Sequence, residues 1–165
     1  MKNSQPIELF MPPNMLKAKV GGGLGGIDMA AMKRAESAME TLKEQFGDWI
    51  AADVQALIEA RAAYANNPNG DARGTLLRRA HDIKGQAPTF DFPLIARVAA
   101  SLARMIGELP PSTPLPLSLI DAHVNAIQVI HKQNLKDTND KIAQALCVEL
   151  DARVDEVVTP TAAKP

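Results

Sequence analysis

From residue 28 onward the apolar residues recur at steps of three and four, the period of helices that pack along one face. Six stretches carry this pattern, each bounded by residues that start or stop helices. Asp28 is placed to cap a helix through Phe46, which Gly47 ends; Asp48 is placed to cap a second, from Trp49 to about Asn66. The turn-rich run NNPNGD (66–71) precedes a third, capped by Asp71 and running from Ala72 to about Ala87. Asp91 stands before Phe92-Pro93, which opens a fourth helix to about Glu108, proline being welcome in a first turn. Beyond PPSTPLP (110–116), a rigid loop, lie two more stretches, about 117–135 and 138–157. No segment shows the two-residue alternation of a strand. The pattern predicts an all-α chain: antiparallel helices, joined by short connections, over residues 28–158.

The two ends read differently. Residues 1–27 hold Pro6, Pro12, Pro13 and the run GGGLGG (21–26), without helical periodicity, and are expected to form a flexible arm. The glycine run is no phosphate cradle, because no Gly-Lys-Ser/Thr follows it and no strand precedes it. Residues 159–165, rich in Pro and Ala, are expected to be a disordered tail.

Composition narrows the function. Of the 165 residues 46% are hydrophobic but only 4% aromatic, so Ala, Leu, Ile, Val and Met fill the interior, as suits packed helices. Basic residues number 18 and acidic residues 19, for a net charge of −1, with no basic block to neutralise a phosphate backbone or an anionic membrane. Nucleic acid and membrane are thus not expected partners. The single cysteine, Cys147, leaves no internal disulfide and fits a reducing compartment. No apolar run approaches the roughly 20 residues that cross a bilayer; the best, Leu94 to Ile106, is broken by Arg97 and Arg104. The N-terminal MKNSQPIELFMPP makes a poor signal peptide, and the chain is expected to be cytoplasmic.

The chemistry concentrates in LLRRAHDIKGQA (76–87). At about 100° per residue, Leu76, Ala80, Ile83 and Ala87 form one core stripe, and His81 points roughly 130° from its centre, toward solvent. Gly74 and Gly85 lie within about 40° of the His81 direction, one on each side along the axis. Glycine inside a helix costs about 1 kcal/mol relative to alanine, and the reason favoured for two on one face is clearance for another protein's backbone. Arg78 and Lys84, at i−3 and i+3, flank the ring and can stabilise a phosphoryl group on it. Leu77 leans toward the same surface as an apolar contact for a docking partner. Gln86 offers a hydrogen bond to a phosphoryl oxygen or to the ring.

The run AHDIKG (80–85) resembles the A-H-x-(L/I)-K-G signature of histidine phosphotransfer domains, and the longer HDIKGQAPTFDFPLIARVAASL and FMPPNMLKAKVGGG resemble the alphaproteobacterial branch of that family. The resemblance covers most of the chain. It implies an antiparallel four-helix bundle, here with an additional N-terminal helix, and a phosphocarrier with no independent catalytic activity. It makes His81 the phospho-acceptor, Lys84 the residue that steadies the phosphoryl group, and Gly85 the gap that admits a receiver domain. The implied partners are response-regulator receiver domains and a hybrid histidine kinase. The chain itself is then a monomer without a cofactor or metal, Mg²⁺ belonging to the receiver. Two positions depart from the family's pattern: Asp91, ten residues after the histidine where a small residue, often glycine, is common, and Pro88, where a helix-compatible residue is common. Both bear on the turn into the next helix.

Each feature also has a plainer explanation. An exposed histidine usually does nothing, surface cations are usually just solvated, and Gly85 can simply begin a helix end ahead of Pro88. Their coincidence on one face favours function. His123 and His131 stand eight residues apart, too far for an i, i+4 chelating pair, and are expected at the surface or its boundary. Cys147 is expected to pack as a small hydrophobe beside a stripe of Ile142, Leu146, Leu150 and Val154. The alternative function is a helical adaptor that docks partners through the Met, Leu, Ile and Trp of the first two segments, with His81 incidental; a family member that only docks receivers is a third.

Overall fold

The computed structural model describes residues 28–159, and five helices account for most of them: α1 (Met29–Asn66), α2 (Gly70–Gln86), α3 (Pro93–Glu108), α4 (Leu117–Lys132) and α5 (Lys141–Val158). No strand occurs among the described residues, as the periodicity predicts. The expected arm over 1–27 and the tail beyond Thr159 lie outside the described residues. The chain divides into two compact units between Glu40 and Thr41. In the first, the Asp28 carboxylate accepts the Ala30 N–H at 3.0 Å as a cap, and residues 29–40 are helical and exposed. The packing below belongs to the second.

Three helix boundaries differ from the sequence expectation. Gly47 does not end a helix and Asp48 does not start one, because α1 runs through both. A lone glycine costs a helix about 1 kcal/mol, which the packing of neighbouring Phe46 and Trp49 against Phe90 offsets, the rings being 5.4 and 6.3 Å from Phe90. Helix α2 is capped by Asn69, whose side chain accepts the Ala72 N–H at 2.8 Å. Asp71 instead falls in the first turn, where its charge complements the helix dipole. Helix α4 stops at Lys132, and α5 begins after Asp140, whose carboxylate accepts the Ala143 N–H at 2.8 Å.

The departures at Pro88 and Asp91 resolve into one motif. After Gln86 the chain makes a further turn, in which the Asp91 N–H bonds to the Pro88 carbonyl at 3.1 Å and the Phe92 N–H to the Ala87 carbonyl at 2.9 Å. This is the Schellman pattern, which needs a left-handed residue at its C′ position; Asp91 has φ 63°. Glycine would take this left-handed backbone without strain. Asn134, with φ 52°, closes α4 in the same way, Asn134 N–H to His131 and Leu135 N–H to Ile130.

Helix α3 is the hub. It packs against α2, α4 and α5, and α4 and α5 pack on each other. Nine of its sixteen residues are buried, Ser101 among them, while Arg104, Gly107 and Glu108 face solvent. Helix α1 joins the core through buried Ile50, Val54, Leu57, Ala60 and Tyr64, through the Arg61–Asp121 ion pair to α4, and through the Leu115 N–H donated to the Tyr64 hydroxyl at 3.0 Å. On α2 the predicted stripe Leu76, Ala80, Ile83, Ala87 is fully buried.

Two side-chain expectations are corrected. On α5 the buried stripe is Ala143, Cys147, Leu150 and Val154, while Ile142 is 82% exposed and Leu146 36%. Repeated steps of four drift about 40° each round a helix, so a stripe from 142 to 154 cannot stay on one face; mixing steps of four and three does. Cys147 is buried as a small hydrophobe, and burial raises its thiol pKa. His123 is not at the surface: it is fully buried, with Nδ1 2.7 Å from the Leu119 carbonyl and Nε2 3.2 Å from the Ser101 hydroxyl. With Nδ1–H donating to the carbonyl, Nε2 accepts from Ser101, so the neutral ring has both nitrogens satisfied. His131 is half-buried against Phe92, ring centroids 5.9 Å apart.

Burial lowers the pKa of His123 and, to the same sign, that of His131. The unfolded chain then binds protons more readily than the folded one, so stability is full above the unfolded value of about 6.5 and declines as pH falls below it. Urea unfolding between pH 7.5 and 5 is expected to show this decline, with a shallower slope in His123→Gln. Asp91→Gly is expected to gain about 0.5–1 kcal/mol in the same assay by relieving the left-handed backbone.

Candidate functional site

Helix α2 presents one face to solvent, and its rotation is set by the buried stripe opposite. His81, Arg78 and Lys84 are all exposed. At about 100° per residue, Gly74 lies some 20° from the His81 direction, Leu77 and Gly85 about 40° on opposite sides, and Arg78 and Lys84 about 60° on opposite sides. The flanks are occupied by two other helices. On the Arg78 side runs α1, whose Asp53 interacts electrostatically with Asp82 and Arg79. On the Lys84 side lies the end of α3, reached by the Arg73 guanidinium. His81 thus stands on the crest between them.

The cations along α2 fall into two classes. Arg73 donates to the carbonyls of Ile106, Leu109, Thr113 and Pro110 at 2.8, 2.6, 2.9 and 3.1 Å, and Arg79 sits 3.6 Å from Asp82. Arg78 and Lys84 have no ion-pair partner among the described residues. The uncommitted cations are therefore the two beside His81. The three histidines divide likewise: His123 is buried and doubly bonded, His131 packs on Phe92, and His81 alone of the three is exposed.

Glycine clearance has a measurable counterpart. A Cβ at Gly74 or Gly85 would meet nothing within 4 Å, so the chain's own packing does not require glycine at either place. The same holds at Gly47 and Gly107, so openness by itself does not single out the site; position on the His81 face does. Gln86 is not brought there. It is the last residue of α2, about 140° round from His81, exposed, and its carbonyl accepts the Thr89 N–H at 2.9 Å.

Two neighbours escaped the sequence reading as parts of this surface. Trp49, 55% exposed, stands on α1 beside Phe46 (5.5 Å) and Phe90, at the end of α2 that follows His81. Its exposure has no sequence signature, since a tryptophan in an apolar repeat reads as core. Asp53 carries a buried Oδ2 with no hydrogen-bond partner among the described residues, and burial first, then the Asp82 charge, raise its pKa, with Arg79 opposing. Its partners lie on another helix, which no local spacing reveals. No cluster of three or more His, Cys, Asp or Glu among the described residues is placed to hold a metal, and no described helix is long and apolar enough to cross a membrane.

A family model for the Hpt domain matches residues 41–158, well over half of the chain and all of the surface just described. Neither the curated proteins nor the solved structures contain a match.

Because Gly85 sits in open space within a helix that turns on to Phe90, Gly85→Ala is expected to raise stability by about 0.5–1 kcal/mol. Urea titration checks it; a loss of stability would mean that the position is constrained from inside the chain.

Proposed function

The chain belongs to the Hpt domain family, and we propose that it carries a phosphoryl group on His81 between the aspartates of receiver domains. Hpt domains serve as phosphocarriers in two-component phosphorelays, working with receiver and kinase domains and without catalytic activity of their own. The observation that carries the assignment to His81 is its exposed ring on a rigid helix, between the two cations of α2 that have no ion-pair partner among the described residues.

In the forward step the lone pair of the unprotonated ring nitrogen attacks the phosphorus of an aspartyl phosphate. The P–N bond forms as the P–O bond to the aspartyl oxygen breaks, the carboxylate leaves, and the proton on the other ring nitrogen is free to pass to water. The reverse step delivers the group to the aspartate of a second receiver. Lys84 and Arg78 offset the charge of the phosphoryl oxygens on the ring, and Gly85 leaves room for the incoming backbone. Mg²⁺ and most of the charge stabilisation belong to the receiver; this chain contributes a positioned nucleophile and needs no cofactor. Response regulators and a hybrid histidine kinase are the partners, and the one cysteine suits a cytoplasmic relay. Gln86, turned from the ring, is given no part in the transfer.

A docking-only role draws on exposed Trp49. A ³²P-labelled receiver domain separates the two. Wild type is expected to take up acid-labile, base-stable label and His81→Gln none, while Lys84→Ala is expected to slow uptake about tenfold, the loss of one charge-assisted hydrogen bond of roughly 1.5 kcal/mol. Uptake by His81→Gln equal to wild type would remove the histidine from the mechanism. No uptake by wild type, together with retained binding, would leave the docking role.

A further inference from the structure

One end of the His81 face runs into a cleft. It holds about 480 Å³ between the start of α2 and the loop at 110–114, and Tyr64, Leu77, Pro111 and Pro114 wall it, with Gly74 opening it toward the helix face. Its one charged group and its aromatic hydroxyl are already committed. The Tyr64 hydroxyl receives the Leu115 N–H at 3.0 Å, and the Arg73 guanidinium is spent on four backbone carbonyls within 3.1 Å. An occupant therefore finds mainly aromatic, aliphatic and proline surface, with Asn69, Ser112 and Thr113 as the remaining polar lining and no free charge to pair with, which suits a large uncharged apolar side chain.

The cleft is also rigid. Prolines 110, 111, 114 and 116 restrict the loop, and Arg73 and Tyr64 tie it to α2 and α1, so little ordering is left for an occupant to impose. Gly74 keeps it open at a helix-interior cost of about 1 kcal/mol that the chain's own contacts do not require.

Gly74 and Leu77 belong to both surfaces. They lie about 10 and 6 Å along the axis from His81 and within roughly 40° of its direction. A standard interface covers about 800 Å² on each partner, a disc of roughly 16 Å radius, so a partner centred on His81 covers the cleft as well. We propose that the cleft seats a large uncharged apolar side chain of the receiver domain, and so helps to decide which receivers this chain accepts. The proposal rests on His81 as the acceptor.

The test uses the full chain and a panel of ³²P-phosphorylated receiver domains, with phosphoramidate as a small donor that has no side chain to seat. Gly74→Leu fills the cleft from the helix and Ser112→Trp from the loop. Both are expected to raise the receiver concentration at half-maximal transfer about tenfold, the equivalent of 1.4 kcal/mol, while the rate at saturation holds. Gly74→Leu is also expected to unfold at higher urea, so that slower transfer is not a folding defect. Variants that match wild type at every receiver concentration sink the cleft alone. Wild type labelled by phosphoramidate but by no receiver sinks the receiver as its occupant. Wild type labelled by neither sinks the carrier reading, and the cleft with it.

Discussion

The burial of Leu76, Ala80, Ile83 and Ala87 against α3 and its neighbours sets the rotation of α2, and the surface chemistry of the protein follows from that rotation. Each large side chain in such a stripe contributes about 1.5–3 kcal/mol on leaving water. A turn of the helix by one residue, about 100°, would expose the stripe and drive either Arg79 and Asp82 or His81 and Lys84 into the core. Neither change is tolerable, so the helix has one orientation. His81 is held at the crest by residues that never touch it, and the two glycines and two cations nearest its direction are held there with it.

The ends of the helices then fix what surrounds the crest. Arg73 satisfies carbonyls at the close of α3 and in the loop beyond, groups that a helix end otherwise leaves to water or to a cap. One guanidinium thereby ties the start of α2 to the end of α3. At the other end of α2 a Schellman turn with left-handed Asp91 reverses the chain within a few residues, and brings Phe90 beside Phe46 and Trp49 of α1 and Phe92 against His131 of α4. The acceptor face is thus bounded on one side by a proline-rich loop and on the other by an aromatic cluster. Ion pairs such as Arg97–Asp151 and Arg104–Asp155 join α3 to α5 at the surface, where each is worth at most about 1 kcal/mol, and they add little to this frame.

The boundaries that sequence reasoning missed share a cause. Gly47 and Asp48 make a plausible stop and start, yet local signals of about 1 kcal/mol are decided by packing, and the aromatic contacts of Phe46 and Trp49 come from residues more than 40 positions away. Asn69 and Asp71 are both good caps; which is used depends on where the turn from α1 delivers the chain. On α5 Ile142 and Leu146 extend back from Leu150 and Val154 in steps of four, but the drift of that spacing carries them off the buried face, which Ala143 and Cys147 occupy instead. Polarity argues for His123 at the surface or its boundary; the Leu119 carbonyl one turn earlier comes with the helix, but Ser101 of α3, which completes its burial, meets it only in the folded bundle.

Sequence alone determined the all-helical class, the core stripe of α2 and, through it, the outward direction of His81 with Arg78, Lys84, Gly74, Gly85 and Leu77 around it, because each follows from the 3.6-residue period within one short segment. It also carried the likeness that the family match over 41–158 supports. Tertiary structure decided what that period cannot encode: that α1 is continuous, that Arg73 is occupied while Arg78 and Lys84 have no ion-pair partner among the described residues, and that a mostly apolar cleft opens beside Gly74. These are relations between residues tens of positions apart, and they exist only once burial has chosen which helices meet.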